Sequence, residues 1–424
     1  MAHTARTNDS PDTQTLQHRR PEHEAGDVII VGGGVIGLCT AYNLAKATQT
    51  ATKTKTWRKI IVLEARGSPF LAASSHNTGC LHYGFLDSFA KDLFEIGEYS
   101  FELWDSIASR DAQFVADTGF RRQSFFPIIP STTGVDGLLP NWVQVEDGWS
   151  VNCGARGSVN ATVNSKGIGV WLERECAKLG VEIWTSTKIV AASLSQAGTV
   201  ESIKFTSTKS NETYSHPCQK LILAAGPWTP SQFELLFPDS TLDLQPSTNA
   251  GDWAILQNPN PVNLNTTAVV FFDDIVHEKL EYAGRSDGTI WVYGTRNHTA
   301  VLPPPGQEDE PSEEVINSLI RYSERFIHKG QGDDDNENLR LRVREKGRSF
   351  RPFTASGLPV LSAVPPQRLI SSISFQGQQL ASNVFICYGH GSYGITLGMG
   401  SGKLMAQVVC GQKPDIDLSK FTLT

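Results

Sequence analysis

The spacing of hydrophobic and polar positions changes abruptly within the first long apolar stretch of the chain. Val28–Val31 is an unbroken apolar run, typical of a strand buried in a parallel sheet. Glycines follow at positions 32, 34 and 37, and the next residues, LCTAYNLAK, predict a helix. The uncharged run from Val28 to Ala45 has the length of a membrane span, but its clustered glycines favour strand, turn and helix.

This arrangement predicts a dinucleotide-binding turn. Gly32 permits the tight turn, Gly34 lets the backbone approach a pyrophosphate, and Gly37 lets the helix pack on the strand. The helix start, with Val35 and Ile36, offers N–H groups and a partial positive charge to the same anion.

A second apolar strand, KIIVLEARG, supports this prediction because it ends in an acid. Glu64 is placed to accept hydrogen bonds from a ribose diol, and we expect Ala65 and Arg66 to contact the cofactor beside it. Glu64 follows Gly37 by 27 positions. The usual interval is roughly 20, and the polar TATKTKTW segment accounts for the excess.

Later segments favour FAD over NAD. After Glu64 the chain continues into a Ser/Gly/His segment and the amphipathic helix DLFEIGEYSFELWDSIASR, not into another βαβ unit. A predicted helix and strand, WLERECAKLGVEIWTSTKIVAASL, bring Ile189 near the adenine. The strand of QKLILAAGPWTP ends in Ala225 and Gly226, small enough to pass under the adenosine-diphosphate half, with Trp228 beside them.

Alternating segments in the middle of the chain predict a second domain. AVVFFDD, KLEYAGR and TIWVYGTR are typical of antiparallel strands, which would roof the flavin and present Trp291 or Tyr293 to substrate. PPPGQEDEPSEE and GQGDDDNEN flank a predicted helix, VINSLIRYSERFIHK, and both are interpreted as solvated acidic loops.

The predicted fold class is α/β, or α+β overall: a Rossmann-like domain with a parallel central sheet, plus a substrate domain built on a mixed or antiparallel sheet. The predicted boundaries are a disordered tail at 1–26, an FAD-binding domain at 27–90, 151–245 and 346–424, and a substrate domain at 91–150 and 246–345.

Composition narrows the function. The chain has 424 residues, 39% of them hydrophobic, and a net charge of −7, so it can bury a large core but offers no basic surface to nucleic acid. Its seven cysteines are scattered without CxxC pairs, which predicts free thiols in a reducing compartment. With no apolar leader and no terminal Ser-Lys-Leu, we expect a cytoplasmic protein with no transmembrane segment.

The glycine motif, Glu64, the GPWT sequence and the C-terminal block together resemble the D-amino-acid oxidase and glycine/sarcosine oxidase superfamily of FAD enzymes. RPFTASGLPVLSAVP followed by NVFICYGHGSYGITLGMGSGKLMAQVVCG is similar to D-amino-acid dehydrogenases and glycine oxidases. Those proteins carry an Arg-Pro-x-Thr-x-x-Gly-x-Pro strand and a Gly-His-Gly turn that opens the last helix. The N-terminal half resembles fungal members, and the resemblance covers about residues 27 to 420.

The glycine-rich GHGSYGITLG segment can bring backbone N–H groups and a helix start against the flavin ring, where they would stabilise the reduced form. The residues expected there are Gly389, Gly391, Gly394, Ile395, Thr396 and Leu397.

The resemblance implies that Arg351 binds the substrate carboxylate, a group that guanidinium binds bidentately, and Arg348 is its rival. Hydride transfer from the α-carbon to flavin N5 then requires mainly orientation. Tyr388, Tyr393 and Tyr83 are candidate walls of this pocket.

The segment HNTGCLHYG carries neither metal-ligand spacing nor a base for Cys80, so it predicts no metal site and no nucleophile. It resembles a loop of L-2-hydroxyglutarate dehydrogenases that runs past the pyrophosphate and isoalloxazine. The resemblance implies that phosphate and ribityl oxygens are bound by two residues of this segment and by the two serines before it: Asn77, Thr78, Ser74 and Ser75. His76 falls near the covalent attachment site of dimethylglycine and sarcosine dehydrogenases. Their preceding tryptophan is absent, so we predict non-covalent FAD.

Three hypotheses for function stay open at this stage. The first is oxidation of the C–N bond of a D-configured or N-substituted amino acid, with oxygen or another acceptor taking the electrons. The second is oxidation of a 2-hydroxy acid, which requires His82 or His390 as a base. The third is a weakly catalytic flavoprotein that acts in a protein complex.

Overall fold

The structure is a computed structural model that describes residues 26–50, 57–83, 91–130, 139–151, 160–245, 249–263, 266–272, 280–328, 341–370 and 381–423. Residues 1–25 of the predicted tail, most of the polar insertion before β2, the acidic GQGDDDNEN segment and Cys153 lie outside these ranges. The α-helices of the described residues are α1 (Val35–Thr50), α2 (Phe94–Arg110), α3 (Ala112–Thr118), α4 (Ser165–Lys178), α5 (Thr229–Leu236), α6 (Glu313–Phe326), α7 (Pro366–Leu369) and α8 (Gly394–Val409). The strands are β1 (Val28–Val31), β2 (Ile60–Leu63), β3 (Cys80–Leu81), β4 (Arg121–Arg122), β5 (Phe126–Pro130), β6 (Trp149–Val151), β7 (Ala161–Thr162), β8 (Glu182–Trp184), β9 (Thr187–Leu194), β10 (Val200–Ser207), β11 (Thr213–Pro217), β12 (Lys220–Leu223), β13 (Ala250–Gln257), β14 (Ala268–Phe272), β15 (Leu280–Gly284), β16 (Thr289–Asn297), β17 (Val343–Phe350), β18 (Val360–Ala363) and β19 (Val384–Tyr388).

The apolar run at the start of the chain forms the centre of a six-stranded sheet. The strand order is β18-β19-β12-β1-β2-β8, and every neighbouring pair is parallel except β18 and β19. All four residues of β1 are buried because α1 and α8 cover one face while the β9–β11 sheet and α5 cover the other. The parallel central sheet of the predicted dinucleotide-binding domain is therefore confirmed.

The second domain, which we call the cap, is built on a seven-stranded sheet with the order β17-β13-β16-β15-β14-β5-β6. The three strands predicted from alternating segments, β14, β15 and β16, are consecutive antiparallel neighbours in it. Helix α6 covers one face of this sheet with Ile316, Leu319 and Phe326. The mixed sheet confirms the predicted fold class, and β14 and β5 are its parallel pair.

The boundary between the domains differs from the predicted one. Helices α2 and α3 were expected in the substrate domain, but the structure packs them on the dinucleotide-binding domain. Phe101, Trp104 and Phe114 lie in the same buried cluster as α1 and α8, and the Trp104 indole donates to the Ile395 carbonyl at 3.1 Å. The amphipathic face of α2 therefore belongs to the core beside the last helix, and the chain enters the second sheet only at β5.

Candidate functional site

A cavity of about 630 Å³ lies between the two sheets. Its walls combine the turn after β1, the end of β2, residues 70–82, the turn after β12, the inner face of the seven-stranded sheet and the segment that opens α8. Volumes of this order are typical of small-molecule and cofactor sites.

The glycine turn forms one end of the cavity, and its close contacts explain the glycines. Gly32 has φ +109°, and a Cβ atom there would lie 2.4 Å from the Ala224 carbonyl oxygen. A Cβ on Gly37 would lie 1.9 Å from the Gly32 carbonyl oxygen, so this glycine permits the helix to pack against the turn and does not line the cavity. Gly34 does line it.

Glu64 lies at the end of β2, and both of its carboxylate oxygens accept backbone hydrogen bonds. Oε2 accepts from the Gly33 N–H at 2.9 Å and Oε1 from the Arg66 N–H at 2.8 Å. Burial raises the pKa of Glu64, and these N–H groups oppose the increase. The carboxylate thus has a fixed orientation on the cavity wall, with further lone pairs to accept bonds from a diol.

The other residues predicted for the adenosine half also line the cavity. They are Val35, Ile36, Ala65, Arg66, Ile189, Ala225, Gly226 and Trp228.

The acidic segment PPPGQEDEPSEE was interpreted from sequence as a solvated loop, but its first part, residues 303–309, covers this end of the cavity. Pro305 and Gly306 line the cavity itself. The Trp228 indole donates to the Pro303 carbonyl oxygen at 2.6 Å. The Arg66 guanidinium donates to the Gln307 carbonyl oxygen at 3.1 Å. We call residues 303–309 the cover segment. Two of its charges have partners: Glu308, which stays largely exposed, pairs with Arg66, and the half-buried Asp309 pairs with Arg348.

In the Ser/Gly/His segment, the side chains divide between shaping the loop and lining the cavity. The Asn77 amide donates to the carbonyls of Ala73 and Ser74, and its oxygen accepts from Gly79 N–H and Ser165 Oγ. Asn77 lines the cavity, but these bonds engage its side chain in holding the loop rather than in binding phosphate or ribityl oxygens.

Ser74 and Ser75 also differ from each other. Ser75 is buried outside the cavity lining, with Oγ bonded to the Ala72 carbonyl oxygen at 3.2 Å. Ser74 Oγ lines the cavity and accepts from the Val35 N–H at 3.0 Å, which leaves its own hydroxyl proton to donate. Ser74 is therefore placed beside the start of α1, where an anion would bind.

His76 lines the cavity with both ring nitrogens engaged. Nδ1 lies 3.0 Å from Ser75 Oγ, and Nε2 lies 3.3 Å from a Glu345 carboxylate oxygen. The imidazole stacks on Trp253 with 4.1 Å between ring centroids. Burial, followed by the charge of Lys166, lowers the pKa of His76 to about 4, so the ring is neutral near pH 7.

The segment opening α8 forms a further part of the cavity wall. Gly391, Gly394 and Ile395 line it, so the positive end of a 16-residue helix faces the interior. Gly389 and Leu397 do not line it. Thr396 does not line it either, because its hydroxyl donates to the Cys80 carbonyl oxygen at 3.1 Å and accepts from the His82 N–H.

The two candidate bases have different environments. His390 lines the cavity, but its Nε2 lies 2.9 Å from Ser401 Oγ, and its Nδ1 is buried with no hydrogen-bond partner among the described residues. Burial lowers the pKa of His390 to about 3. The ring therefore fastens the Gly-His-Gly turn to α8. His82 lines the cavity between the rings of Phe125 and Tyr393.

The three tyrosines predicted to form walls of the substrate pocket lie in different parts of the structure. Tyr393 lines the cavity. Tyr388 points into the cluster on the other side of the parallel sheet, where burial raises its pKa to about 12, and Tyr83 packs edge-on against Phe101. Neither Tyr388 nor Tyr83 is part of the cavity lining. The alternation of side chains along β19 turns Tyr388 away.

Arg351 and its rival Arg348 have different surroundings. Arg348 lies outside the cavity lining and bonds both carboxylate oxygens of Asp252, with Nε 2.6 Å from Oδ1. Asp309 binds its third nitrogen. Arg351 lines the cavity and donates to the Tyr293 hydroxyl at 2.6 Å, with Cζ 4.4 Å from the centroid of that ring. The Arg-Pro segment around it is an irregular connection between β17 and β18, not the strand that the resemblance implied.

Both aromatic candidates of β16 face the cavity, because Trp291 and Tyr293 are two residues apart and stack at 5.9 Å. Tyr293 has room for its ring because its neighbour is Gly251, where a Cβ atom would lie 2.2 Å from Tyr293 Cε2. Burial raises the pKa of Tyr293, the charge of Arg351 opposes this, and the charge of Glu281 adds to it.

Glu281 and Arg296 line the same wall and were not predicted. Glu281 is the cross-strand partner of Tyr293. Arg296 comes three residues after Tyr293, on the opposite face of a regular strand, but a bulge in the β13–β16 pairing turns it toward the cavity. The alternating pattern of KLEYAGR would have placed Glu281 in the cavity if the face of the strand that lines the cavity had been known. Arg296 had none.

These residues suit a flavin dinucleotide. The glycine turn, the oriented Glu64 and the start of α8 place N–H groups and a carboxylate where pyrophosphate, ribose and ring would require them. Consistent with this, the family model of FAD dependent oxidoreductases (DAO) matches residues 27–408. The chain belongs to the FAD-dependent oxidoreductase family. It is therefore a flavoenzyme, and FAD is its cofactor, as predicted.

Individual relatives are distant. Glycerol 3-phosphate oxidase of Mycoplasma pneumoniae is 24% identical over 383 residues, which cover 81% of this chain and 92% of that protein. Glycine oxidase from Geobacillus kaustophilus is 18% identical, with a TM-score of 0.65 and coverage of 95% and 99% of the two chains. L-amino acid deaminase from Proteus vulgaris is 12% identical, with a TM-score of 0.64 and coverage of 94% and 97%. These structures share the fold of this protein.

Across the part of the chain that the structure describes, no helix combines the length and apolar character needed to span a membrane. The same residues contain no group of three or more His, Cys, Asp or Glu side chains arranged to hold a metal ion.

Proposed function

We propose that this flavoenzyme oxidises the C–N bond of an amino acid, D-configured or N-substituted, to an imine that water then hydrolyses to a 2-oxo acid or aldehyde. The observation that carries the proposal is Arg351 in the cavity, bonded to the Tyr293 hydroxyl. A guanidinium and a phenol on one wall are the donors that a substrate carboxylate requires.

The residues of the chain orient the substrate and exclude water. Arg351 and Tyr293 bind the carboxylate, while Trp291, Phe271 and Tyr393 supply apolar walls that hold the α-carbon in place. Bound FAD supplies the acceptor for the two electrons and the hydrogen of the α-C–H bond. The amine nitrogen loses a proton as the C=N bond forms.

Oxidation of a hydroxyl group is the second candidate, favoured by the sequence similarity to a glycerol 3-phosphate oxidase. It requires a base that takes the hydroxyl proton. His82 lines the cavity and could serve, whereas His390 has one ring nitrogen bonded to Ser401 and the other buried.

The test is anaerobic stopped-flow reduction of the purified holoenzyme by glycine, N-methylglycine, D-alanine, iminodiacetate, 2-hydroxy acids and glycerol 3-phosphate. We expect bleaching of the flavin band by amines, and a loss in Arg351→Ala of at least about 100-fold in kcat/KM, because two charge-assisted hydrogen bonds disappear. Arg344→Ala is the matched control, since Arg344 is an exposed residue of β17 bonded to Gln257. Bleaching by hydroxy compounds alone would favour the second candidate.

A further inference from the structure

Glu281 is an acidic side chain on the cavity wall that the proposed function does not yet use. It lies on β15 directly opposite Tyr293 on β16, and both side chains line the cavity. Directly paired residues on one face of a sheet have Cβ atoms about 4.5–5.5 Å apart. The carboxylate of Glu281 therefore faces the same cavity as the Tyr293 hydroxyl, to which Arg351 donates, and its charge acts on that hydroxyl.

Glu281 accepts a hydrogen bond from Thr78 and can accept further hydrogen bonds. Thr78 Oγ1, from the loop of the dinucleotide-binding domain, donates to Oε2 at 3.3 Å. A carboxylate offers about four acceptor positions on its two oxygens, so Glu281 retains positions for a ligand. The cavity lining thus presents an acceptor, Glu281, together with the donors Tyr293 and Arg351.

We infer that Glu281 binds the amino nitrogen of the substrate, so that the substrate carboxylate and amine are held by the opposite charges of Arg351 and Glu281 on the lining of one cavity. The inference rests on the proposed function and specifies how the amine is recognised. A zwitterionic amino acid matches this wall, whereas a carboxylate without an amine would satisfy Arg351 and Tyr293 and leave Glu281 without a new partner.

The inference has a consequence for pH dependence. A negative charge beside the bound ammonium stabilises its protonated form and raises the pKa of the substrate in the complex. Oxidation requires the neutral amine, so Glu281 strengthens binding but moves the acid limb of the reduction rate to higher pH. The sheet, the Arg351 segment and the loop of Thr78 also bring these charged or titratable groups to the cavity lining: Tyr293, Arg296, Arg351, His76, Cys80 and His82. None of them is altered in a Glu281→Gln variant, which removes only the charge.

The experiment compares holoenzyme variants with pairs of ligands. Each amine of the panel that bleaches the flavin is paired with its analogue that lacks nitrogen: acetate for glycine, propionate for D-alanine. Binding of the analogue is followed by the change in the flavin spectrum. We expect Glu281→Gln to weaken binding of the amine about tenfold and to leave binding of the analogue unchanged. The acid limb of the limiting reduction rate should shift down by about one pH unit. Arg351→Ala should weaken both ligands.

Glu313→Gln is the matched control, because Glu313 pairs with Lys346 on the cap surface and lies outside the cavity. Three results in Glu281→Gln would overturn the inference while leaving C–N oxidation in place. They are equal weakening of amine and analogue binding, a changed flavin spectrum of the ligand-free enzyme, and an acid limb of the reduction rate at the wild-type pH. Failure of every amine to bleach the wild-type enzyme would overturn the proposed function together with the inference.

Discussion

At the scale of single residues, Gly251 determines the position of a proposed carboxylate ligand. Gly251 lies on β13, and a Cβ atom at this position would lie 2.2 Å from the Tyr293 ring and overlap it. The ring in turn carries the hydroxyl that accepts from Arg351. A glycine remote from any turn thus controls the hydrogen bond between the two donors.

Gly251→Ala should therefore displace Tyr293 and raise KM for the substrate by about tenfold or more, the effect of losing one hydrogen bond to a charged group. FAD content should stay near that of wild type, since the overlap is with Tyr293 and not with the glycine turn. Steady-state kinetics and the flavin-to-protein absorbance ratio measure both. Gly67→Ala is the control, because its Cβ would meet nothing within 4 Å. An unchanged KM in Gly251→Ala would show that Tyr293 does not hold the substrate.

The ring contacts of His76 lead to a prediction about flavin attachment. Both nitrogens of the imidazole have partners, Ser75 and Glu345, and the ring is stacked on Trp253. We therefore expect non-covalent FAD: acid precipitation should leave all of the yellow colour in the supernatant, in wild type and in His76→Gln alike. Flavin that stays with the wild-type pellet and is lost from the His76→Gln pellet would instead show a covalent bond at this histidine.

At the scale of elements, the cover segment joins the two domains over the adenosine end of the cavity. Trp228 and Arg66 of the dinucleotide-binding domain donate to its backbone carbonyls, and Arg348 of the cap binds Asp309. Because these bonds must break before the segment lifts, it should slow the release of FAD.

Trp228→Phe removes one indole N–H and keeps most of the apolar area. We expect FAD to dissociate about fivefold faster, the effect of about 1 kcal/mol for one hydrogen bond. The fluorescence of released FAD after dilution gives the rate. Trp149→Phe, an equivalent change at the far edge of the cap sheet, should leave the rate at the wild-type value. Equal rates in the two variants would mean that the cover segment does not retain the cofactor.

These elements also show what could be predicted from the sequence. The β1–α1–β2 unit and Glu64 were predictable because strand, turn and helix signals are local and follow one another along the chain. The cover segment was not, because its polar composition resembles a solvated loop and its partners, Trp228 and Arg66, are distant in sequence. Arg296 required knowledge of a bulge that arises only when β13 and β16 pair.

At the scale of the whole molecule, two neutral histidines, His76 partly buried and His390 fully buried, line the cavity. His76 contacts the cap through Trp253 and Glu345, and His390 fastens the turn before α8 through Ser401. Burial lowers the pKa of His76 to about 4 and that of His390 to about 3, from an ordinary 6.5. Below an ordinary histidine pKa the unfolded chain therefore binds protons that the folded protein does not.

This difference makes stability depend on pH with a definite sign. The free energy of unfolding should be largest above about pH 6.5 and decrease as the pH falls toward about 4, by up to about 1.4 kcal/mol per pH unit for each histidine. His390→Gln can keep a hydrogen bond to Ser401 but cannot titrate, so its stability should fall less steeply. Urea unfolding of FAD-saturated protein between about pH 7 and pH 5 measures the two slopes. Parallel slopes would mean that His390 is protonated in the folded protein, which its buried Nδ1 and its bond to Ser401 argue against.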